Sequence, residues 1–452
     1  MQMIRLQITD NHRDWKPIKD CVFDNQALSG NDFSIVKSDL WRIANKEIKN
    51  LTLVENPNLL VFPYDYNQYG DKISESQILS MRGDEISTGN IMGFVGVNQT
   101  QIDIKSRFSK ECPQDYFLHY MLQKVFCINL FDIKHTTNQE QIFDFLLYLF
   151  PYFLKKALAQ GVFKKYRRFA YNDANIRGPI DVSRHIRQNI PFKGTVAYST
   201  REHSYDNEVT QLVRHTIEYI KTKEHGRIIL GNDSKTKECV SQIIMATPTY
   251  NVRERQRVVN QNLRPLRHPY FSAYTNLQKI CLQILRHESL KYGQEKDKIY
   301  GILFDGAWLW EEYLNTILEK EGFTHPRNRI NNVGKHIFIN PKKSLVQPDF
   351  FIENKIVLDA KYKKHTTLFE DKQREDRFQL LAYMHIFNAN VSGLIVPNET
   401  ISETIRGEIQ NGGAMCLFKI KVQHSCQVYG EYVTAMKKNE DDVIKEIIKC
   451  VP

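Results

Sequence analysis

Short runs in which apolar and polar residues alternate fill the first part of the chain: Met3 to Ile8, Leu51 to Val54, Leu59 to Phe62, Ile91 to Val97 and Gln101 to Lys105, broken by Asn, Gly and Pro. A period of two puts alternate side chains on one face, so each run predicts a strand and together they predict a β-rich domain. The period changes at Asp115. From there to Leu130, and from Gln139 to Gln160, apolar residues recur at helical spacing, which predicts two helices, the second stopped by Gly161. Asp206-Asn207 predicts the cap of a helix reaching about Lys223, and Ser272 to Tyr292 predicts a long helix ended by Gly293. The polar stretch from Lys221 to Lys237 predicts a loop or linker.

Beyond Gly293 both periods occur in close succession. Residues 305 to 320 predict a helix with Leu309, Tyr313, Leu314 and Ile317 on its apolar face and Glu311 and Glu312 beside it. An extended run from Ser344 to Ile352 meets the polar turn Glu353-Asn354-Lys355 and returns as Ile356 to Lys361, which predicts a hairpin. A helix from about Asp371 to Ala389 and a buried strand from Gly393 to Pro397 follow. The expected fold is therefore α+β and multidomain: a β-rich N-terminal domain over 1–110, a mostly helical, basic middle region over 111–293, and a C-terminal α/β domain over 294–452.

Length agrees with that division, since 452 residues exceed what one compact core usually holds. The formal charge of +10 favours an acidic partner such as nucleic acid. The eight cysteines form no C-x-x-C pair and no His/Cys ligand spacing, so reduced core thiols are expected. No signal peptide or bilayer-length apolar run is legible, which predicts a cytoplasmic protein without membrane contact. Two segments concentrate positive charge, Lys164 to Arg187 and Arg253 to Arg267. They could track phosphates, pair with acidic protein surfaces, or be solvated faces.

The candidate chemistry lies in the predicted hairpin. With its turn centred on Asn354, residue 352 faces 356, and further along Asp349 faces Asp359 with side chains about 5 Å apart; Lys361 joins them by period two. Two facing carboxylates repel and weaken a hairpin unless a divalent cation lies between them. Pro348-Asp349 followed by Asp359-Ala360-Lys361 is the spacing of the PD-(D/E)xK nuclease signature, and the α-β-β-α-β order is the core expected of such a nuclease. Phosphodiester hydrolysis needs an activated water, a stabilised phosphoryl oxygen and a stabilised leaving oxyanion, tasks suited to Mg²⁺ held by carboxylates, with Mn²⁺ able to substitute. Asp349, Asp359 and the carbonyl of Ala360 are the expected metal ligands. Lys361 would orient or help deprotonate the water, or stabilise phosphate charge. Glu311 is the candidate supplementary acid, with Glu312 its neighbour and competitor. Gln379 and Tyr383, one helical turn apart, form a Q-x-x-x-Y pair that in a subset of these nucleases lies beside the metal and helps position DNA.

With these residues in place the chain resembles the McrC family, the nuclease subunits of McrBC-type modification-dependent restriction systems. Leu309-Trp310-Glu311-Glu312-Tyr313 is similar to the family's L-F-E-x-Y helix, which favours Glu311. Pro348-Asp349, Asp359-Ala360-Lys361-Tyr362-Lys363, Asp376-x-x-Gln379 and Ala382-Tyr383 are similar to its active-site block. Upstream, Gly93-Phe94-Val95-Gly96-Val97 with Ile102-Asp103-Ile104-Lys105, Arg177-Gly178-Pro179-Ile180-Asp181 and Asp206-Asn207-Glu208 match further elements in order. Where the family's early strand pair ends in Pro-Lys, this chain has Ser106-Arg107. The resemblance implies an endonuclease subunit that cleaves DNA when assembled with an McrB-like AAA+ GTPase ring. This chain should bind no nucleotide itself: Gly334-Lys335 lacks the first glycine of a G-x-x-x-x-G-K-[ST] loop and is followed by His336. A stand-alone RecB-like repair nuclease and a non-catalytic DNA-binding adaptor that activates a partner NTPase are the alternatives.

Overall fold

Residues 4–23, 28–51, 56, 58–63, 73–109, 115–126, 138–223, 226–231, 233–286, 299–326, 333–338, 340–370, 373–400, 403–410, 412–423 and 426–451 are described by a computed structural model. The chain opens with β1 (Ile4–Thr9), the two-residue β2 (Lys16–Pro17) and helix α1 (Gly30–Ile43), then β3 (Asn58–Phe62), β4 (Leu79–Arg82), β5 (Glu85–Thr88), β6 (Ile91–Val97), β7 (Thr100–Lys105) and helix α2 (Tyr116–Phe126). Ser29 caps α1 by accepting from the amide of Asp32. The expected strands over 3–8, 59–62, 91–97 and 101–105 are present, whereas the run 52–54 lies outside the described residues.

A separate compact unit follows, spanning 136–290. It contains α3 (Asn138–Leu158), β8 (Lys165–Asp173), α4 (Val182–Asn189), β9 (Val196–Ser204), α5 (Glu208–Lys221), α6 (Gly226–Gly231), α7 (Ser234–Ala246), α8 (Arg255–Gln261) and α9 (Ala273–Arg286). Asn207 caps α5 in a reciprocal box with Thr210, as its place before a helical run predicts. The expected loop over 221–237 instead holds α6 and the start of α7. Asp233 caps α7, and Ile229, Leu230 and Thr236 are buried, so local polarity gave way to capping and packing. The region is mostly helical, but its basic segment contains the two-stranded β8–β9 ribbon, paired from Lys165 with Ser204 to Asp173 with Val196.

The remaining elements are β10 (Ile299–Asp305), α10 (Gly306–Leu318), β11 (Lys335–Phe338), β12 (Lys343–Val346), β13 (Phe350–Ile352), β14 (Ile356–Ala360), α11 (Arg374–Phe387), β15 (Val391–Asn398), β16 (Thr404–Glu408), β17 (Ala414–Lys421) and α12 (Tyr429–Cys450). Residues 1–135 and 291–452 form one compact unit, which corrects the expected separation of an N-terminal from a C-terminal domain. The cause is β10. It is buried throughout and lies inside the N-terminal sheet, ordered β1-β7-β6-β10-β3. Two glycines permit that pairing: a side chain at Gly93 (φ +124°) would meet the carbonyl of Ile302 at 2.2 Å, and one at Gly301 (φ +155°) that of Phe94 at 2.3 Å.

The second sheet of this unit is ordered β13-β14-β15-β17-β16, with β14, β15 and β17 parallel and antiparallel strands at both edges. Nearly every residue of β14, β15 and β17 is buried. Such continuous apolar runs suit a sheet covered on both faces. Helix α11 connects β14 to β15, and its Leu380 packs with Leu394, Val396 and Leu417, while Phe387 packs with Val357 and Phe351. The predicted long strand from Ser344 is two strands: β12 pairs with β11 in its own sheet, and β13 begins only at Phe350. Pro348 explains the break, since it offers no amide to a ladder.

Candidate active site

The β13–β14 hairpin turns at Asn354, whose φ of +60° is a conformation asparagine tolerates well. Its register pairs Ile352 with Ile356, Phe351 with Val357 and Phe350 with Leu358. One step further, Asp349 and Asp359 arrive at the same end. Asp349 stands just outside the ladder, and its Oδ2 accepts from the amide of Ala360 at 2.6 Å, which turns the carboxylate toward the end of β14. Asp359 shares a face of β14 with Val357, the residue that packs on α11. The helix delivers Gln379 and Tyr383 to that face.

These side chains form one connected group. The ammonium of Lys361 lies 2.6 Å from Asp359 Oδ2. The Gln379 amide approaches Asp359 Oδ1 and Lys361 Nζ at 3.4 Å each and donates to the Tyr383 hydroxyl at 2.8 Å. Burial pushes the Asp359 carboxyl upward against the pull of Lys361. Burial alone would lower Lys361, but the carboxylates of Asp359 and Asp349 outweigh it and hold the ammonium above its usual value. Tyr383 is pushed up to about 12 by burial and by Asp359, so its phenol keeps its proton. A carboxylate 3 % exposed, balanced by a single lysine, is a costly arrangement for a purely structural hairpin.

Neighbouring segments fix this group. Tyr362, directly after Lys361, is clamped by the N-terminal part of the same unit: its hydroxyl shares a hydrogen bond of 2.7 Å with Ser106 Oγ, the Arg107 guanidinium lies 4.6 Å from its ring centroid, and Phe108 meets its edge at 5.2 Å. Arg107 is in turn paired with buried Asp10 at 2.7 Å. Ser106-Arg107, the departure from the resembled family, thus serves as an anchor beneath the site. On α11, Asp376 accepts from Lys363 at 2.7 Å and lies 3.4 Å from His365 Nε2; these partners hold its carboxyl well below the usual range.

Helix α10, capped by Asp305, is tied to the sheet where the Trp310 indole donates to the carbonyl of Ile395 at 3.3 Å. Glu311 faces His325, with Oε1 3.6 Å from Nε2, and His325 Nδ1 lies 2.7 Å from the carbonyl of Asp349. Glu311 thus lies next to the histidine that contacts the Asp349 backbone. Glu312 is buried one step around the helix. His325 and His365 were not legible in the sequence, because neither belongs to a periodic run or a spaced chemical motif; Tyr362 belongs to the motif block, but its anchoring depends on Ser106 and Arg107, far away in the chain.

The structure brings together Asp349, Asp359, Ala360, Lys361, Gln379 and Tyr383, with Glu311 joined through His325. Among the described residues no three His, Cys, Asp or Glu side chains converge as a metal-binding group. A set of two carboxylates and the Ala360 main-chain carbonyl is nonetheless all oxygen, and hard oxygen donors fit Mg²⁺ in a site completed by water and phosphate.

The protein-family model described as McrBC 5-methylcytosine restriction system component matches residues 86–397, more than half of the chain. No curated protein matches. A solved chain from the half-complex of a tetradecameric assembly of Thermococcus gammatolerans McrB AAA+ hexamers with bound McrC aligns over 98% of this chain and 100% of its own at 15% identity, with a TM-score of 0.49. A chain of the Thermococcus gammatolerans McrBC complex aligns over 70% of this chain and 87% of its own at 14% identity, with a TM-score of 0.33. Among the described residues no helix is long and apolar enough to cross a membrane. On the extent of the family match, this chain belongs to the family of McrBC 5-methylcytosine restriction system components, as its motifs led one to expect.

Proposed function

We propose that this chain is the Mg²⁺-dependent DNA endonuclease subunit of a modification-dependent restriction system, built on a PD-(D/E)xK core and active when assembled with an AAA+ GTPase ring. The observation that carries this reading is the meeting of Asp349, Asp359 and Lys361 at one end of a buried hairpin, with Gln379 and Tyr383 from the helix beside it. Family membership supports the restriction setting, and the proposed partner ring is of the kind that McrC binds in the Thermococcus assembly.

Asp349, Asp359 and the carbonyl of Ala360 would hold the cation, which when bound lowers the pKa of a water and stabilises charge on a phosphoryl oxygen. The protein's own groups do the rest. Lys361 keeps its charge in this surrounding, so it serves to orient the attacking water or to neutralise charge developing on the phosphate, better than it serves as a proton acceptor. Gln379 holds Asp359 and Lys361 in place through its amide, and the protonated Tyr383 fixes Gln379. Asp376 keeps Lys363 and His365 beside the same helix face.

The test is cleavage of methylated and unmethylated plasmid by the chain together with its AAA+ partner, Mg²⁺ and GTP, wild type against Asp359→Ala. Breaks in methylated DNA that vanish in the variant are expected. Equal cleavage by the variant would overturn the site. Metal-dependent cleavage by the chain alone would move the reading to a stand-alone repair nuclease, and partner NTPase stimulation without cleavage would move it to an adaptor.

A further inference from the structure

Between α10 and the hairpin, a short segment runs beside β13: Thr324 and Phe351 exchange two backbone hydrogen bonds, at 2.8 and 3.0 Å. That pairing fixes the backbone on which His325 sits. Its ring stacks on Phe350 with centroids 4.8 Å apart and planes within 26°. The side chain is 4 % exposed, and each of its nitrogens has a direction: Nδ1 to the Asp349 carbonyl at 2.7 Å, Nε2 to Glu311 Oε1 at 3.6 Å. A carbonyl can only accept, so Nδ1 carries a proton there.

We propose that His325 is a positioning residue of the active site, holding the Asp349 backbone just outside the ladder through its Nδ1–H. This rests on the metal-dependent reading above. The strand is broken at Pro348, just before Asp349, and two hydrogen bonds hold Asp349 beyond that break: His325 on its backbone carbonyl and the Ala360 amide on its carboxylate. Partners that hydrogen-bond a metal-ligating side chain commonly change metal affinity by about 10–100-fold, and a bond to the backbone that carries the ligand is expected at the lower end.

Three substitutions separate the parts. His325→Phe keeps the stack and removes both polar contacts; His325→Asn retains a donor where Nδ1 lies; His325→Gln moves the donor toward the Nε2 position. Mn²⁺ binding to the purified full chain, followed by electron paramagnetic resonance of the free ion, is the readout, with Asp359→Ala as reference and thermal melting as the check of folding. His325→Phe is expected to weaken Mn²⁺ binding about ten-fold, His325→Asn to recover most of that loss, and His325→Gln to recover less. Should His325→Phe fold poorly, the Asn and Gln variants decide by their order. Wild-type affinity in His325→Phe, or Asn no better than Gln, overturns the positioning role. Mn²⁺ binding that ignores Asp359→Ala overturns the metal reading itself, and this inference with it.

Discussion

Two hairpins of this protein carry charge in opposite surroundings. The β13–β14 hairpin is short, lies in a sheet with apolar neighbours, and ends in two aspartates and a lysine, of which Asp359 is almost completely buried. The β8–β9 ribbon is nine residues long on each strand and exposes most of β8, including Lys165, Tyr166, Arg167 and Arg168. Its charges lie over rings: Arg201 is 5.7 Å from the Tyr166 centroid and Arg177 is 5.6 Å from that of Tyr171. Ile176, Ile180, Val182, Ile186, Ile190 and Phe192, in the segment that joins the two strands, are exposed. A charge in water costs little and so says little about purpose. A charge withdrawn from water must be compensated, so its surroundings carry more information than those of an exposed one.

Removing the buried charge should have the largest effect. Asp359→Ala is expected to lower partner-dependent DNA cleavage on the order of 10³-fold, measured as single-turnover rate on methylated plasmid. A loss under ten-fold would mean that burial had been a poor guide. The same substitution leaves Lys361 without its partner in a largely buried place and should destabilise the unit by about 3 kcal/mol in denaturant unfolding. The pair Asp359→Leu with Lys361→Met should restore wild-type stability or exceed it while remaining inactive, because a buried ion pair rarely outperforms apolar packing. Stability that fails to return would assign the pair a structural role.

Two buried histidines outside both hairpins should shape the acid limb of stability. Burial pushes His119 on α2 down to about 4, and His215 on α5, buried beside Arg255 and Arg214, also to about 4. A depressed folded value means stability that is present above the ordinary value of 6.5 and is lost as pH falls from there toward 4. For His119 the loss should reach up to roughly 3 kcal/mol. His119→Leu or His215→Leu should flatten the acid limb of unfolding, followed from neutral pH downward. An unchanged limb would show that these rings are hydrated. The smallest effect is expected on the ribbon and the α4 helix that joins its strands: Arg187→Ala with Arg201→Ala should change stability by no more than about 0.5 kcal/mol. The slope of log affinity for DNA against log salt then tells whether those arginines meet phosphate, since removing an arginine that neutralises a phosphate makes the slope shallower by about one.

The sequence already specified a good deal. Alternation placed β1, β3, β6 and β7, helical spacing placed α2, α3 and α10, the Asp206-Asn207 cap placed α5, and α9 and α11 were expected where they lie. Counting outward from Asn354 placed Asp349 opposite Asp359, because hairpin register follows from turn geometry and pattern. Spaced motifs likewise named Asp359, Lys361, Gln379 and Tyr383, side chains that the fold brings into one connected group. Tertiary structure decided what local pattern does not encode. It placed β10 in the N-terminal sheet, where Gly93 and Gly301 let backbones approach, and so joined two stretches that composition had set apart. It folded 226–231 and 234–246 into helices through a cap and buried aliphatics, and it formed the exposed β8–β9 ribbon from a segment that read only as basic and aromatic. It also brought His325 between Glu311 and Asp349 and set Ser106-Arg107 against Tyr362. Register and periodicity are local properties of a chain, carried by each residue and its near neighbours. Which distant segments share a sheet, and which side chain holds another in place, depends on contacts between residues far apart in sequence, and one chain read by itself contains no signal for those.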